Sequence, residues 1–203
     1  MKYLLNFLKS KQQLQHLFDE KLPLEGIFSD IIKLFGKNSI VVSTSGNSNS
    51  DYCNTLNKKF IGAWISSPNP NSWIKFDVKT IRIAILGYTL RVCPASRNVA
   101  APHSWCIEGS NDNFKWFLID EHRKDYCLQS SKPQNFSCQA QLLKTEVPDV
   151  SSNMPNYTNT VNNKITDNNS FRYIRIRQTD VNVLGGNSLC LSNIELFGYF
   201  STL

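Results

Sequence analysis

Side chains able to do acid–base chemistry are few in this sequence. The only histidines are His16, His103 and His122. None lies in a His-Glu-x-x-His pattern, and the chain contains neither a Gly-x-Ser-x-Gly elbow nor a glycine-rich phosphate loop. Glu121 and His122 could form half of an acid–base pair, but a polar turn after a strand explains them equally well. The sequence therefore predicts a protein that is not an enzyme.

The cysteines are not spaced as a metal site. The chain has six, at Cys53, Cys93, Cys106, Cys127, Cys138 and Cys190. No two of them form a Cys-x-x-Cys pair or a Cys/His group at ligand spacing. A chain of 203 residues can bury enough apolar surface to fold without disulfide bonds. We expect reduced, mostly buried thiols, no metal ion and no cofactor.

Positive charge exceeds negative charge, with 22 Lys and Arg against 16 Asp and Glu and a pI near 9.0. Such an excess attracts nucleic acid when it is clustered. Here the positive residues are scattered, and the densest groups are Arg123-Lys124 and the trio Arg172, Arg175 and Arg177. Basic patches interleaved with aromatic residues are missing, so we expect no nucleic-acid partner.

The apolar run at the amino end is too short to span a bilayer. It covers residues 3–8, is broken by Asn6 and is stopped by Lys9. It also lacks the apolar centre and cleavage site of a secretory signal. From these features we expect a soluble intracellular protein.

Residues 1–36 carry the spacing of amphipathic helices. Apolar side chains recur at steps of three and four in the set Leu4, Leu5, Leu8, Leu14, Leu17 and Phe18. After Pro23 a second short helix is predicted from Leu24 to Leu34, ended by Gly36. We expect this extension to fold back on the rest of the chain or to mediate self-association through Leu4, Leu8, Leu17 and Ile31.

From Ile40 onward the pattern changes to short runs rich in β-branched and aromatic residues, separated by Asn, Ser, Pro and Gly. Eight strands are predicted, at Ile40–Thr44, Trp73–Val78, Ile81–Val92, Ser104–Ser110, Phe114–Asp120, Ser137–Leu143, Phe171–Gln178 and Ser188–Tyr199. Eight strands without an intervening helix are typical of an antiparallel sandwich or barrel.

Three predicted connections are long, namely Ser45–Phe60, Cys93–Pro102 and Lys144–Ser170. Loops of this length are usually functional or disordered. The third has the composition of a flexible insertion, whereas the first two are placed to shape a binding rim. The tip of the first loop, residues 45–51, has no Trp, Phe or Leu to enter a bilayer, so we expect no membrane insertion.

Four segments, in order, resemble one domain family. Residues 104–116 read SWCIEGSNDNFKW, a strand, a tight turn and a returning Trp; the others are PNSWIKFD at 70–77, FRYIRIR at 171–177 and IELFG at 194–198. Together they resemble the discoidin-like domain, also called the coagulation factor 5/8 type C domain, of the galactose-binding-like superfamily. The resemblance covers about residues 40–200.

The resemblance implies an all-β fold, an eight-stranded antiparallel jelly-roll β-sandwich over residues 37–203, preceded by a short helical extension over residues 1–36. Large aromatic residues at period-two spacing normally pack inward in a sandwich. Trp105 and Ile107, with Trp116 and Leu118 on the returning strand, are expected to share one buried face. The expected core residues are Trp73, Phe76, Trp105, Trp116, Tyr173 and Phe197.

The resemblance also implies a non-enzymatic binding module. The wording at Gly26-Ile-Phe-Ser-Asp, Ser96-Arg-Asn and Arg177-Gln-Thr is closest to intracellular members that follow BTB and BACK regions in protists. We therefore expect an intracellular interaction domain that presents loops 45–60, 93–102 and 179–187 to a protein or peptide partner.

The alternative is a carbohydrate-binding module of the galactose type. In sugar-binding relatives, loops at one end of the sandwich supply Arg, His, Asn and an aromatic platform. The matching candidates are Trp64, Arg97, Asn98, His103 and Asn187. Some relatives hold a structural calcium ion, but Asp51 is the only carboxylate near such a place, so no metal is predicted.

Overall fold

The computed structural model describes residues 13–47, 49, 51–92, 100–138 and 169–202. Several predicted features lie outside this part of the chain. They are Leu4, Leu5 and Leu8, the candidate ligands Arg97 and Asn98, the end of the strand predicted at 137–143, and nearly all of the connection at 144–170.

Two antiparallel sheets form the body of the molecule. The first has the order β1-β11-β5-β8, with β1 at Leu14–His16, β5 at Ile81–Arg91, β8 at Gln134–Ser137 and β11 at Asn193–Thr202. The second has the order β2-β4-β9-β6-β7, with β2 at Val41–Thr44, β4 at Trp73–Asp77, β6 at Trp105–Ser110, β7 at Phe117–His122 and β9 at Tyr173–Gln178. A small ladder pairs β3 (Trp64–Ile65) with β10 (Cys190–Leu191).

The helical elements are short. One α-helix, α1, covers Ile27–Phe35, and 3-10 turns cover Lys37–Ser39, Asp51–Leu56 and Cys127–Gln129. Among the described residues, no helix is long and apolar enough to cross a membrane.

The two antiparallel sheets confirm the predicted β-sandwich, and most predicted strands agree with the observed ones within a few residues.

The core lies between the two sheets. Along β4 and β9 burial alternates with period two, so that Ile74, Phe76, Ile174 and Ile176 are fully buried. Of the aromatic residues expected in the core, Phe76, Trp105 and Phe197 are buried. All six residues of β6 are buried: β7 and β9 cover its edges, and on its outer face Arg175 and Arg177 cover Glu108.

Three of the expected core aromatics lie elsewhere. Trp73, Tyr173 and Trp116 are half-buried, and the first two fall on the outer face because they are out of phase with the buried isoleucines of their strands. Cations cover their rings: the Arg175 guanidinium lies 4.0 Å from the Trp116 ring, and the Lys75 ammonium lies 5.3 Å from that of Trp73. These aromatics therefore pack under charged side chains and not between the sheets.

The phase of the returning strand also differs from the prediction. Strand β7 begins at Phe117, and Ile119 is buried whereas Leu118 is 59% exposed. A register shift between Ile107 and Glu108 of the neighbouring strand places the inward position one residue later. A bulge of this kind cannot be deduced from an alternating pattern, because it changes the phase without changing residue types.

Residues 14–35, expected in the helical extension, pack as part of the sandwich. Leu14–His16 forms a strand and not the predicted helix, because its backbone groups pair with β11. The predicted second helix is present at Ile27–Phe35 and ends at Gly36, whose φ is 87°. Its Ile27, Phe28 and Ile31 belong to the same buried cluster as the sheet residues, so Ile31 folds back on the core.

Each residue of the segment Gly26-Ile-Phe-Ser-Asp has a role in this docking. A Cβ on Gly26 would lie 2.4 Å from the carbonyl oxygen of Leu196, so only glycine allows this approach to β11. Ile27 and Phe28 enter the core. Ser29 hydrogen-bonds to Glu195, and Asp30 lies 2.6 Å from the His16 ring nitrogen of β1.

The first turn of α1 is capped by a side chain from β11. The Glu195 carboxylate, 3% exposed, accepts hydrogen bonds from the backbone N–H groups of Phe28 (2.8 Å) and Ser29 (3.1 Å) and from the Ser29 hydroxyl (2.7 Å). These donors are the ones that a helix leaves unsatisfied at its start. Burial raises the pKa of Glu195 to about 7, although the hydrogen bonds from Ser29, Leu196 and Phe28 act in the opposite direction.

Replacing Glu195 by alanine should lower the free energy of unfolding by about 2–4 kcal/mol, because buried N–H donors of α1 lose their acceptor and a cavity remains. Urea unfolding followed by circular dichroism measures the change. Glu121→Ala is the control, since Glu121 pairs with a largely exposed arginine, and it should change the value by less than about 0.5 kcal/mol. Equal midpoints for both variants would contradict this role of Glu195.

Candidate functional site

The connections that could form a site meet at one end of the sandwich. Register pairs Thr44 with Ile74, Trp105 with both Gln178 and His122, and Arg91 with Asn193. The loops that follow β2, β5, β7 and β9 therefore leave the sheets on the same side. We call this side the loop end.

Three of these loops are held together by backbone hydrogen bonds. The N–H of Asp125 donates to the carbonyl of His103 at 2.7 Å, and that of Thr179 donates to Ser104 at 3.0 Å. The N–H of Val183 donates to Ala101 at 3.1 Å. Residues 100–104 thus lie between segments 123–127 and 179–187. We call these three segments the loop corner.

An aromatic pair occupies the loop corner. The His103 and Tyr126 rings have their centroids 5.2 Å apart at an interplanar angle of 30°. His103 is 7% exposed and its Nδ1 lies 3.0 Å from the Ser104 hydroxyl, whereas Tyr126 is 54% exposed. The buried imidazole therefore supports one side of a tyrosine ring that remains open to solvent.

The third loop of the corner is shaped by Asn182. Its buried side-chain oxygen accepts hydrogen bonds from the N–H groups of Leu184 and Gly186, each at 3.0 Å, and its nitrogen donates to Ser188. Gly185 takes a φ of 79°, which favours glycine. This turn carries the predicted ligand Asn187, which is half-buried, and presents Leu184 to solvent.

The structure corrects one candidate and adds another. Trp64 is fully buried, and its indole N–H donates to the Asn47 side chain at 2.9 Å, so it anchors the first loop and offers no ring face to a ligand. His103 and Asn187 both belong to the loop corner. Tyr126 is the aromatic residue that the sequence analysis missed. Its signal was a single Tyr within the polar turn 122–127.

A polar cluster at the edge of the sandwich fixes the turn that carries Tyr126. The His122 ring lies between two carboxylates, with Nδ1 at 2.8 Å from Asp125 and Nε2 at 3.1 Å from Asp120. Asp125 also accepts the N–H of Cys127 at 2.9 Å. The His122 ring stacks on Trp105 with centroids 4.4 Å apart. Glu121 and His122 therefore do not form the acid–base pair considered above, because the imidazole is engaged by two aspartates.

His122, Asp120 and Asp125 shift one another's pKa values. Burial alone would lower the pKa of His122, but the hydrogen bonds and charges of Asp120 and Asp125 outweigh burial and raise it. Burial acts to raise the pKa values of Asp120 and Asp125, yet both are lowered, chiefly by hydrogen bonds that include those from His122. The cluster therefore favours a protonated imidazole between two carboxylates.

The cysteines of the described residues are free, and no side-chain group there is suited to metal binding. Residues 13–47, 49, 51–92, 100–138 and 169–202 contain no group of three or more His, Cys, Asp or Glu that could hold a metal ion. The described cysteines are free: Cys106, Cys138 and Cys190 are buried, whereas Cys53 and Cys127 are exposed. Burial raises the pKa of Cys106 and of Cys127 to about 12, so these thiols stay protonated at neutral pH.

Comparison with known proteins identifies the fold. No family model and no curated protein sequence matches the chain. Among solved structures, a family 32 carbohydrate-binding module of Clostridium perfringens, in complex with GalNAc-β-1,3-galactose, is 10% identical, with a TM-score of 0.52 and coverage of 79% of this chain and 96% of that chain. The two chains share the fold of an antiparallel β-sandwich.

Two further solved structures share this fold. A family 32 module from a family 31 glycoside hydrolase of C. perfringens is 12% identical, with a TM-score of 0.55 and coverage of 80% of this chain and 92% of that chain. The family 32 module of AlyQ, in complex with 4,5-unsaturated mannuronic acid, is 12% identical, with a TM-score of 0.51 and coverage of 77% and 93%. At these identities the likeness concerns the fold alone.

Replacing His122 by glutamine should destabilise the protein in a pH-dependent way. Because the folded-state pKa lies above the unfolded value of about 6.5, the stabilisation is complete below that pH and is lost as the pH rises through the folded-state pKa. The difference in unfolding free energy between wild type and His122→Gln should be about 1 kcal/mol larger at about pH 5.5 than at about pH 9. Chemical unfolding at both pH values measures it.

Arg123→Gln, a neighbouring change at an exposed position, is the control and should show no such pH dependence. A His122→Gln difference that is the same at both pH values would contradict the ion-pair role of the imidazole.

Proposed function

We propose that this chain is a non-enzymatic carbohydrate-binding module whose site is the loop corner. The observation that carries the proposal is the Tyr126 ring, half exposed and braced from behind by His103. Sugar rings have one apolar face that stacks on an aromatic side chain, and a rigid platform loses little entropy when it binds. The segment 179–187, which includes Asn187, borders residues 100–104 on the side away from the segment of Tyr126.

The comparisons support this choice over the alternative of a protein partner. Structures of the same fold bind GalNAc-β-1,3-galactose and 4,5-unsaturated mannuronic acid. A sheet scaffold that holds several loops at one end is suited to small ligands, because the scaffold is rigid while the loops determine specificity. Arg97 and Asn98 remain proposed ligands from the sequence.

Replacing Tyr126 by alanine should weaken binding of galactose-type glycans about tenfold or more, because the stacking platform is lost. Isothermal titration calorimetry with GalNAc-β-1,3-galactose, chosen after a glycan array, measures the change. Phe114→Ala is the matched control: Phe114 is 84% exposed and lies on the β6–β7 hairpin at the opposite end of the sandwich. Silence across the array, or equal affinity for both variants, would count against the sugar site.

A protein partner is the second candidate, and one observation favours it. The β6–β7 hairpin exposes Phe114, Phe117 (55%) and Leu118 (59%) within residues 114–118. Several large exposed apolar side chains on one hairpin are a feature of protein-binding surfaces. The intracellular, BTB-associated setting belongs to this second proposal and rests on the sequence resemblance.

One double variant tests the protein-binding hairpin separately from the sugar site. If the hairpin binds a protein, Phe117→Ser with Leu118→Ser should abolish co-purification of a defined partner and leave glycan affinity unchanged. If the same double variant retains that partner, the hairpin is not the interface.

A further inference from the structure

A second surface at the loop end has a different chemistry from the loop corner. A cleft of about 400 Å³ lies between the segment 21–25, which precedes α1, and the loop residues 58–59, with Arg91 and Pro133 completing its lining. The lining contains four cationic side chains, Lys21, Lys58, Lys59 and Arg91, and one acidic side chain, Glu25. Its formal charge is therefore 4 − 1 = +3, half of the +6 carried by the whole chain.

Both walls of the cleft are held by backbone hydrogen bonds. On one side the N–H of Leu22 donates to Asp19 at 3.0 Å and that of Glu25 donates to Leu22 at 2.9 Å. On the other side Phe60 donates to Asn57 at 2.8 Å, and the Asn193 side chain donates to the carbonyl of Asn57 at 2.7 Å. Lys21, Lys58 and Lys59 therefore project from two turns held by hydrogen bonds, and Arg91 projects from the end of β5.

Arg91 is the most constrained of the four cations. Its Nε donates to the Asn193 side-chain oxygen at 2.8 Å, and its Nη2 donates to the carbonyl oxygens of Phe60 (2.5 Å) and Lys58 (3.3 Å). All three acceptors are neutral. Burial lowers the pKa of this guanidinium.

Little negative charge within the described chain compensates these cations. Lys58 pairs with Glu25. Within the residues that the structure describes, no carboxylate lies within ion-pair distance of Lys21, Lys59 or Arg91. By contrast, Arg172, Arg175 and Arg177 on the outer sheet face are all paired with Asp77 or Glu108. A preorganised arginine flanked by lysines, in a cleft large enough for a sugar unit, is suited to an oxyanion.

We propose that this cleft binds the oxyanion group of an acidic ligand, with Arg91 as the fixed donor and Lys21 and Lys59 as flexible cations. The apolar stretch Leu22-Pro-Leu24 and Pro133 form the rest of the wall and can cover the apolar part of such a ligand. The shared chemistry is a carboxylate or phosphate oxygen, and the source is either an acidic saccharide or a small free anion. The site does not depend on the loop corner, because the two are lined by different residues.

Calorimetric titration of the full chain tests the proposal with three probes: trigalacturonate, its neutral methyl ester, and inorganic phosphate. The acid trimer should bind at least about tenfold more tightly than the ester, and its affinity should fall as salt is raised, because charge–charge attraction is screened. Binding of the trimer without binding of phosphate assigns the cleft to acidic saccharides. Binding of phosphate, in competition with the trimer, assigns it to oxyanions in general.

Arg91→Gln should weaken the trimer or phosphate about tenfold, and Lys59→Gln should weaken it severalfold. Lys37→Gln removes one positive charge at an exposed position just before β2, at the end of the sandwich opposite the loop end, and should leave affinity unchanged. Arg91→Gln also removes the hydrogen bonds that hold the loop 58–60. Lys59 is exposed, so Lys59→Gln is expected to keep the fold. Thermal unfolding checks that it does.

The proposal is overturned if neither the trimer nor phosphate binds more tightly than the methyl ester, or if Lys59→Gln and Lys37→Gln have the same affinity. Tyr126→Ala separates this result from the function proposed above. That variant should lose galactose-type binding and keep the anion site, so either site can fail while the other stands.

Discussion

A polar connection across the core joins the two sheets and determines where the loop corner lies. The Tyr88 hydroxyl of β5 donates to Asp120 of β7 at 2.7 Å and accepts the indole N–H of Trp105 on β6 at 3.0 Å. A buried hydroxyl without partners would cost several kcal/mol, so this arrangement admits one relative position of the strands. Asp120 then engages His122, His122 engages Asp125, and Asp125 holds the turn that carries Tyr126.

The docking of α1 also depends on a buried polar group. A short helix gains little stability from its own hydrogen bonds. Here it is stabilised because Ile27, Phe28 and Ile31 fill the core and because Glu195 caps its first turn. The glycine at position 26 permits the close approach on which both contacts depend.

Charge is not distributed evenly over the surface. On the outer sheet face, Glu108 pairs with Arg175 and Arg177, and cations cover the rings of Trp116 and Trp73. Those charges are compensated within the described chain. The cleft around Arg91 has a net positive lining, whereas the loop corner is centred on an aromatic ring. One end of the sandwich thus offers two chemically different surfaces, an aromatic platform and a cationic cleft.

The sequence by itself determined the fold class, most of the strands, helix α1 and its end at Gly36, because periodicity and turn residues are local signals. It also pointed to His103 and Asn187, which the structure places in the same corner. Tertiary structure alone decided the rest. Trp64 is buried and Tyr126 exposed, although both are aromatic residues near polar loops, because burial depends on which strands pass over a side chain. The strand at Leu14–His16 exists through its pairing with β11. The cleft at Arg91 unites residues 21, 58, 91 and 133, which are distant in sequence and meet only when the chain folds.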